Sequence, residues 1–276
     1  MMSFEELVQE ELSKPNYLIE KSQPDSEEAY TVIYFSSSGI YNEDNAETFT
    51  KEIIEKNRFE YFGTRIKKAS KHIFLRDITK KWYFDGINKE INSTEKLLEF
   101  LKKETIGTKI ITLGSSAGGY AAILFGILLN AEYIFSFSAQ YSLIPCSEYI
   151  NYRAEHKNSE YFNLTKLIES SDIPIFYLFP SKVEHDITQF NLVKKFKNIY
   201  AVPIKSSTHG IPVIKDTLRS LINSDLKDLK KIYRYKDKAP MSELVFLFKS
   251  FGILKALSRI IRKNFECFKG KYLKTS

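Results

Sequence analysis

Residues 110–122 read I-I-T-L-G-S-S-A-G-G-Y-A-A. A β-branched, apolar run over Thr108–Leu113 reads as a strand, and the apolar run Ala117–Asn130 reads as a helix. Between them stand Gly114-Ser115-Ser116-Ala117-Gly118-Gly119. Small residues in that place serve a phosphate cradle, a tight structural turn, or a turn that presents a nucleophilic serine. A phosphate loop needs Lys and Ser/Thr after its second glycine, whereas Gly119-Tyr120 follow Gly118, and the spacing G-x-G-x-x-G is absent. The stretch does fit G-x-S-x-G as Gly114-Ser115-Ser116-Ala117-Gly118, with a strand before it and a helix after it. Flanking glycines let strand and helix approach around a sharp bend, which lifts the Ser116 hydroxyl above the sheet. The backbone N–H of Ala117, at the helix start, is then placed to stabilise an oxyanion. Ser115, one position before the bend, is the weaker rival hydroxyl.

A serine is a poor nucleophile at neutral pH and needs a base. The chain has four histidines. His72 lies upstream of Ser116, and His156 falls in an irregular tyrosine-rich stretch. His185 lies beside Asp186. His209 sits in Ser206-Ser207-Thr208-His209-Gly210, after the strand Ile199–Ile204, where a loop can carry it to Ser116. The strand Ile173–Phe179 is followed by Pro180-Ser181-Lys182-Val183-Glu184-His185-Asp186. Asp186 is favoured to orient His209, and Glu184 is the alternative acid. The bland readings are a loop histidine and an aspartate capping the helix near Ile187–Val193. The order Ser…Asp…His, each after a strand, is that of the α/β-hydrolase fold. A second oxyanion donor is expected in the loop after the early strand Tyr30–Phe35, at the backbone of Ser37 or Ser38 in Ser36-Ser37-Ser38-Gly39.

Working outward, His72–Arg76 and Tyr133–Phe137 read as further strands, and Glu90–Lys103 and Ile214–Ile222 as helices. Strands alternating with helices predict a mostly parallel sheet covered by helices on both faces. Residues 1–235 are expected to form this domain, with a small cap inserted at about 140–170 carrying Tyr141, Tyr149, Tyr152 and Tyr161. A basic helical tail is expected over 236–276. From Lys227 to Ser276 there are 14 Lys and Arg against 4 Asp and Glu, whereas the net charge of the whole chain is +7. Basicity therefore belongs to the tail. There Ile253, Leu254, Ala256, Leu257, Ile260 and Ile261 lie on one side of a helix and Lys255, Arg259, Arg262 and Lys263 on the other. Such a helix packs on the main domain or a second subunit, or lies on an anionic membrane surface. No nucleic-acid motif accompanies the charge, so no nucleic-acid partner is expected.

The two cysteines, Cys146 and Cys267, have neither CxxC spacing nor neighbouring ligands, and no disulfide framework or metal site is expected. The acidic start MMSFEELVQEELSK is not a secretory signal, and no apolar run reaches the ~18–20 residues of a membrane span. A cytoplasmic location is the default expectation.

Several stretches together resemble a bacterial group of α/β-hydrolase-like proteins found in capsule and surface-polysaccharide gene clusters. They are Phe74-Leu75-Arg76-Asp77, Trp82-Tyr83 with Gly86, Gly114–Ala122, and Phe135-Ser136-Phe137-Ser138-Ala139-Gln140. Relatives include polysaccharide O-acetyltransferases and the accessory-secretion acetyltransferase that modifies sugars on serine-rich glycoproteins. The resemblance spans roughly residues 30–224 and departs from the group at Ala139, where a proline is frequent. It implies transfer of an acetyl group, with acetyl-CoA as donor, to a carbohydrate hydroxyl through an acyl-Ser116 intermediate. Ser116, His209 and Asp186 take the triad roles, and Asp77, Trp82 and Gln140 match positions near the substrate pocket. The same motifs serve plain carbohydrate esterases, and a non-catalytic accessory protein of a glycan assembly or secretion complex is the rival of another class.

Overall fold

The computed structural model describes residues 2–23, 28–144, 159–233 and 239–253. Its elements in chain order are α1 (Phe4–Glu11), β1 (Tyr17–Lys21), β2 (Tyr30–Phe35), α2 (Ala46–Phe49, continued by a π-helical turn over Thr50–Glu55) and β3 (Ala69–Leu75). There follow α3 (Thr94–Glu104), β4 (Lys109–Ser115), α4 (Ala117–Leu128), β5 (Tyr133–Phe137), α5 (Thr165–Glu169) and β6 (Ile175–Pro180). The last are α6 (Glu184–Val193), β7 (Ile199–Ile204), α7 (Lys215–Ile222), α8 (Leu226–Ile232) and α9 (Glu243–Phe251).

The strands form one seven-stranded sheet in the order β1-β3-β2-β4-β5-β6-β7. Only β1 runs antiparallel, at the edge; every other pairing is parallel. Parallel strands need crossovers, and the crossover helices cover both faces. Accordingly β2 and β6 are buried at every residue. On one face Leu97, Leu101, Tyr120, Ala121, Phe125 and Val193 pack over Ile33, Ile73 and Tyr177. On the other, Leu218, Leu221, Leu229, Ile232 and Phe246 cover Val32, Leu113, Phe135 and Phe176. The chain thus has the α/β-hydrolase fold, and the sheet is the rigid base from which three loops reach the same place.

Three details differ from the expectations. The helix expected from Glu90 begins at Thr94, because Asn88 accepts the Glu90 and Ile91 N–H groups in a turn and Ser93 caps the helix by accepting from Lys96. Strand β1 has no period-2 burial, being half-buried along most of its length, so its pairing with β3 rather than its pattern defines it. The tail expected from 236 is divided: Met241 bridges to Ile204, and Phe246 and Leu247 are buried against the sheet, so α9 belongs to the main body. Residues 254–276, with most of the expected amphipathic helix and Cys267, lie outside the described residues, as do 145–158 of the cap with Cys146, Tyr149, Tyr152 and His156. The described edges of the cap are tied together, Leu143 donating to Phe162 and Leu164 to Tyr141.

Arg76 is the polar hub of the N-terminal side. Its guanidinium is buried, bonds Asn16, Ile53 and Arg58, and faces Glu11 at 4.0 Å. Burial lowers its pKa to about 10, which leaves it charged at neutral pH. His72, four residues earlier on β3, is buried as well. Its ring nitrogens lie 3.1 Å from the Tyr34 hydroxyl and 3.0 Å from that of Ser22. Burial, reinforced by Arg65, lowers its pKa to about 4.

The folded His72 therefore refuses a proton that the unfolded chain accepts near pH 6.5. Above that pH both states are neutral; between 6.5 and about 4 the unfolded state gains protons and stability falls. Urea titrations across this window should show a loss of roughly 3 kcal/mol attributable to His72. The loss should be much smaller in His72→Gln, and an equal slope in that variant would contradict the assignment.

Candidate active site

The bend after β4 is the centre of the site. Ser116 has φ 53° and ψ −122°, a left-handed backbone for a residue with a Cβ, which costs about 1–3 kcal/mol. The surroundings hold it there. Its N–H donates to the Phe137 carbonyl at 2.9 Å, and its carbonyl accepts from Tyr120 in the first turn of α4. The flanking glycines are needed for space. A Cβ on Gly114 would lie 2.0 Å from the Gly118 carbonyl oxygen, and one on Gly118 would lie 2.2 Å from that of Phe35 at the end of β2. Strand, helix and neighbouring strand touch backbone to backbone, and Ser116 is pushed out of the plane.

His209 arrives on the loop between β7 and α7. Its Nε2 lies 2.9 Å from the Ser116 Oγ, and its Nδ1 lies 2.9 and 3.1 Å from the two oxygens of Asp186. The network assigns the proton to Nδ1, donated to the carboxylate, and leaves Nε2 to accept from the serine hydroxyl. Asp186 is fully buried, while the His209 side chain keeps 39% of its surface in solvent. Asp186 stands in the first turn of α6, where the helix dipole favours negative charge. It is not the helix cap: Val183 holds that position without a side-chain bond. Glu184 is exposed. The His209 loop is itself pinned, since the Ser138 hydroxyl donates to the Gly210 carbonyl at 2.5 Å. Ser115 ends β4 opposite Phe137 and is buried.

Ala117 is the first residue of α4, and its N–H has no acceptor within the helix. Ser37 does not fit the expectation of an open donor. Its N–H donates to Glu60 at 2.8 Å and its hydroxyl to the other oxygen of the same carboxylate at 2.9 Å. An oxyanion placed there would compete with a carboxylate for one proton. Ser38, which opens the 3-10 turn Ser38–Ile40, is the remaining residue of the pair.

Asp77, Trp82 and Gln140 are brought near the site, but each is buried and turned to protein. Asp77 accepts the N–H groups of Thr79, Lys81 and Tyr83 and the Thr79 hydroxyl. Burial still raises its pKa, and those four bonds oppose the rise. The carboxylate orders a turn in which Lys80, Trp82 and Tyr83 all have positive φ. That turn delivers the Tyr83 hydroxyl to the Ser36 carbonyl at 2.8 Å, fixing the Ser36–Gly39 loop. Asp77 is thus a loop-ordering residue rather than a pocket ligand. Trp82 Nε1 donates to Gln140 Oε1 at 3.3 Å, and Gln140 Nε2 meets His185 Nε2 at 3.4 Å. The His185 ring stands edge-on to His209 with centroids 6.2 Å apart. These residues form a wall behind the histidine.

Four contributors escaped the sequence reading: Glu60, Ser138, His185 and Gln189. Gln189 accepts from the Tyr141 and Ser142 N–H groups and donates to Ser142, locking the start of the cap onto α6. His185 had a signal in its place beside Asp186, and Ser138 in the Phe135–Gln140 stretch that carries the resemblance. Glu60 and Gln189 lie in no motif. A cleft of about 500 Å³ opens next to the bend, lined by Ser37, Glu60, Tyr61, Ser115, Gly210 and Lys215 among others. Among the described residues no three His, Cys, Asp or Glu gather as a metal site.

Several solved structures are similar to this one. A Staphylococcus aureus subsp. aureus Mu50 protein of unknown function is similar at TM-score 0.51 and 10% identity, over 79% of this chain and 94% of that one. A capsule O-acetyltransferase of Neisseria meningitidis serogroup A is similar at TM-score 0.49 and 16% identity, over 69% and 82%. A peroxisomal alpha-beta-hydrolase of Saccharomyces cerevisiae is similar at TM-score 0.44 and 11% identity, over 93% and 90%. No family model matches the sequence, and no curated protein matches it.

Gly118→Ala should be far more damaging than an exposed glycine substitution, because the clash is with backbone that cannot step aside. A loss of more than about 3 kcal/mol, read as a fall in Tm or as insolubility, is expected. A stable Gly118→Ala protein would show that the bend is not built on this contact.

Proposed function

We propose that this protein is a serine acyltransferase that carries an acyl group, acetyl in the first instance, through Ser116 to a carbohydrate hydroxyl. The observation that carries the reading is the continuous chain Ser116 Oγ, His209 Nε2, His209 Nδ1, Asp186, with both gaps near 2.9 Å. A hydroxyl held on a strained bend, a base within hydrogen-bond reach and a buried carboxylate behind the base form an activated nucleophile.

His209 Nε2 takes the Ser116 proton as Oγ attacks the carbonyl of an acyl thioester such as acetyl-CoA. The tetrahedral oxyanion accepts hydrogen bonds from the N–H of Ala117 and of Ser38. The carbon–sulfur bond breaks, and His209 returns the proton to the departing thiol. An acyl ester on Ser116 remains. A sugar hydroxyl then gives its proton to His209 and attacks the ester, and Ser116 regains the proton. Asp186 holds the Nδ1–H tautomer and stabilises the imidazolium in both half-reactions.

Acetyl-CoA as donor and a surface-polysaccharide acceptor are the parts that rest on the family resemblance, and a cytoplasmic setting is the default expectation from the sequence. Among the described residues no helix is long and apolar enough to cross a membrane. The exposure of His209 supports a second reading, a carbohydrate esterase, because water reaches the base.

Both readings share the acyl-enzyme and part at its acceptor. Acetyl-CoA should give acetylated sugar when oligosaccharides of the native polymer are supplied, with little free acetate. Release of acetate at the same rate with and without sugar would replace the transferase by the esterase. Asp186→Asn and His209→Ala should each lower kcat/KM by on the order of 10⁴-fold, while Glu184→Gln should leave it within about twofold.

A further inference from the structure

Eleven large apolar side chains stand exposed among the described residues. Six are scattered. Ile214, Leu244, Val245, Phe248 and Ile253 are not: they are 40–57% exposed and belong to α9 and its two neighbours in space and sequence. Leu244 and Phe248 are four residues apart and Val245 and Phe248 three apart, so they share one face of the helix. That face is rigidly mounted. Met241, Phe246 and Leu247 are buried below it, and the Ser242 hydroxyl caps the helix. The Glu243 carboxylate accepts from the Ile214 N–H and the Thr217 hydroxyl, both at 2.9 Å, joining Ile214 to the same end. Single exposed apolar residues are ordinary, whereas a mounted cluster calls for an occupant.

We propose that this face docks on an anionic lipid bilayer. The charge beside it selects the occupant. Lys205 and Lys215 are exposed next to the Met241 and Ile214 contacts. The chain that continues from Ile253 carries seven Lys and Arg against one acidic residue over 254–276. Apolar groups with Lys205 and Lys215 beside them match a bilayer, where acyl chains lie beneath an anionic layer. A second copy of this chain would bring the same cations face to face. The loop that ends at Ile214 also carries His209, so docking sets the mouth of the Ser116 site beside the lipid surface. The proposal rests on α9 and its flanking charge, not on the acyl-transfer reading.

Co-sedimentation of the full chain with vesicles tests it. The protein should bind phosphatidylcholine vesicles containing phosphatidylglycerol, bind far less to phosphatidylcholine alone, and release as salt is raised. A Leu244→Ser, Val245→Ser, Phe248→Ser variant should lose on the order of tenfold in partitioning. Its circular dichroism melt should be unchanged, and so should Ser116-dependent hydrolysis of a soluble ester. Phe248→Ser alone should lose several-fold, which keeps the test open if the triple variant is unstable. Three results would overturn the proposal: no binding to the anionic vesicles, unchanged binding by both variants, or a concentration-dependent dimer that the substitutions abolish without vesicle binding.

Discussion

The site depends on one close contact, the approach of the α4 backbone to β2 and β4 at Gly114 and Gly118. With Cβ atoms absent there, the first turn of α4 sits directly against the carbonyl of Phe35 and forces Ser116 into φ 53°. Every other part is arranged around a serine that cannot relax. The free N–H of Ala117, proposed as an oxyanion donor, is a by-product of the same bend, since the first N–H groups of a helix have no partners within it. Ser136, Ser138 and Ala139 at the end of β5 have little bulk, and even so a Cβ on Gly119 would lie 2.9 Å from that of Ala139. The bend and the adjoining strand end are one packed unit.

Asp186 and His209 are mounted differently, and the difference suits the acid and base roles proposed for them. Asp186 is fully buried on a helix whose packing includes Phe190 against Tyr177 and Phe179. It is a fixed charge. His209 stands on an exposed loop held by the carboxylate, by the serine and by the Ser138 bond to Gly210. An imidazole that must receive a proton from one oxygen and hand it to another needs limited freedom about a fixed anchor. The Glu60–Ser37 clasp and the Tyr83–Ser36 bond do the same for the loop after β2, which is held from two sides.

Much of this was legible in the sequence because it rests on local rules. A glycine on each side of a serine between an apolar strand and an apolar helix has few uses, and the chain order of Asp186 and His209 follows from where parallel strands end. What was not legible depends on pairings between distant residues. Asp77 looked like a pocket residue, yet it is consumed by three backbone N–H groups close to it in sequence. Ser37 looked like an open donor, and nothing local announces that Glu60 closes it from a loop 23 residues on. Strand β1 exists because β3 offers it an edge, and α9 joins the core through Met241, which bridges to Ile204.

The central claim is that Ser116 is an activated nucleophile, and intact-mass spectrometry after exposure to a small fluorophosphonate tests it most directly. Wild type should gain a single adduct mapping to Ser116, Ser116→Ala should gain none, and His209→Ala should label at least a hundredfold more slowly, on the order expected for loss of a base. A folded wild-type protein that takes no adduct, or labelling that is indifferent to His209, would contradict the account.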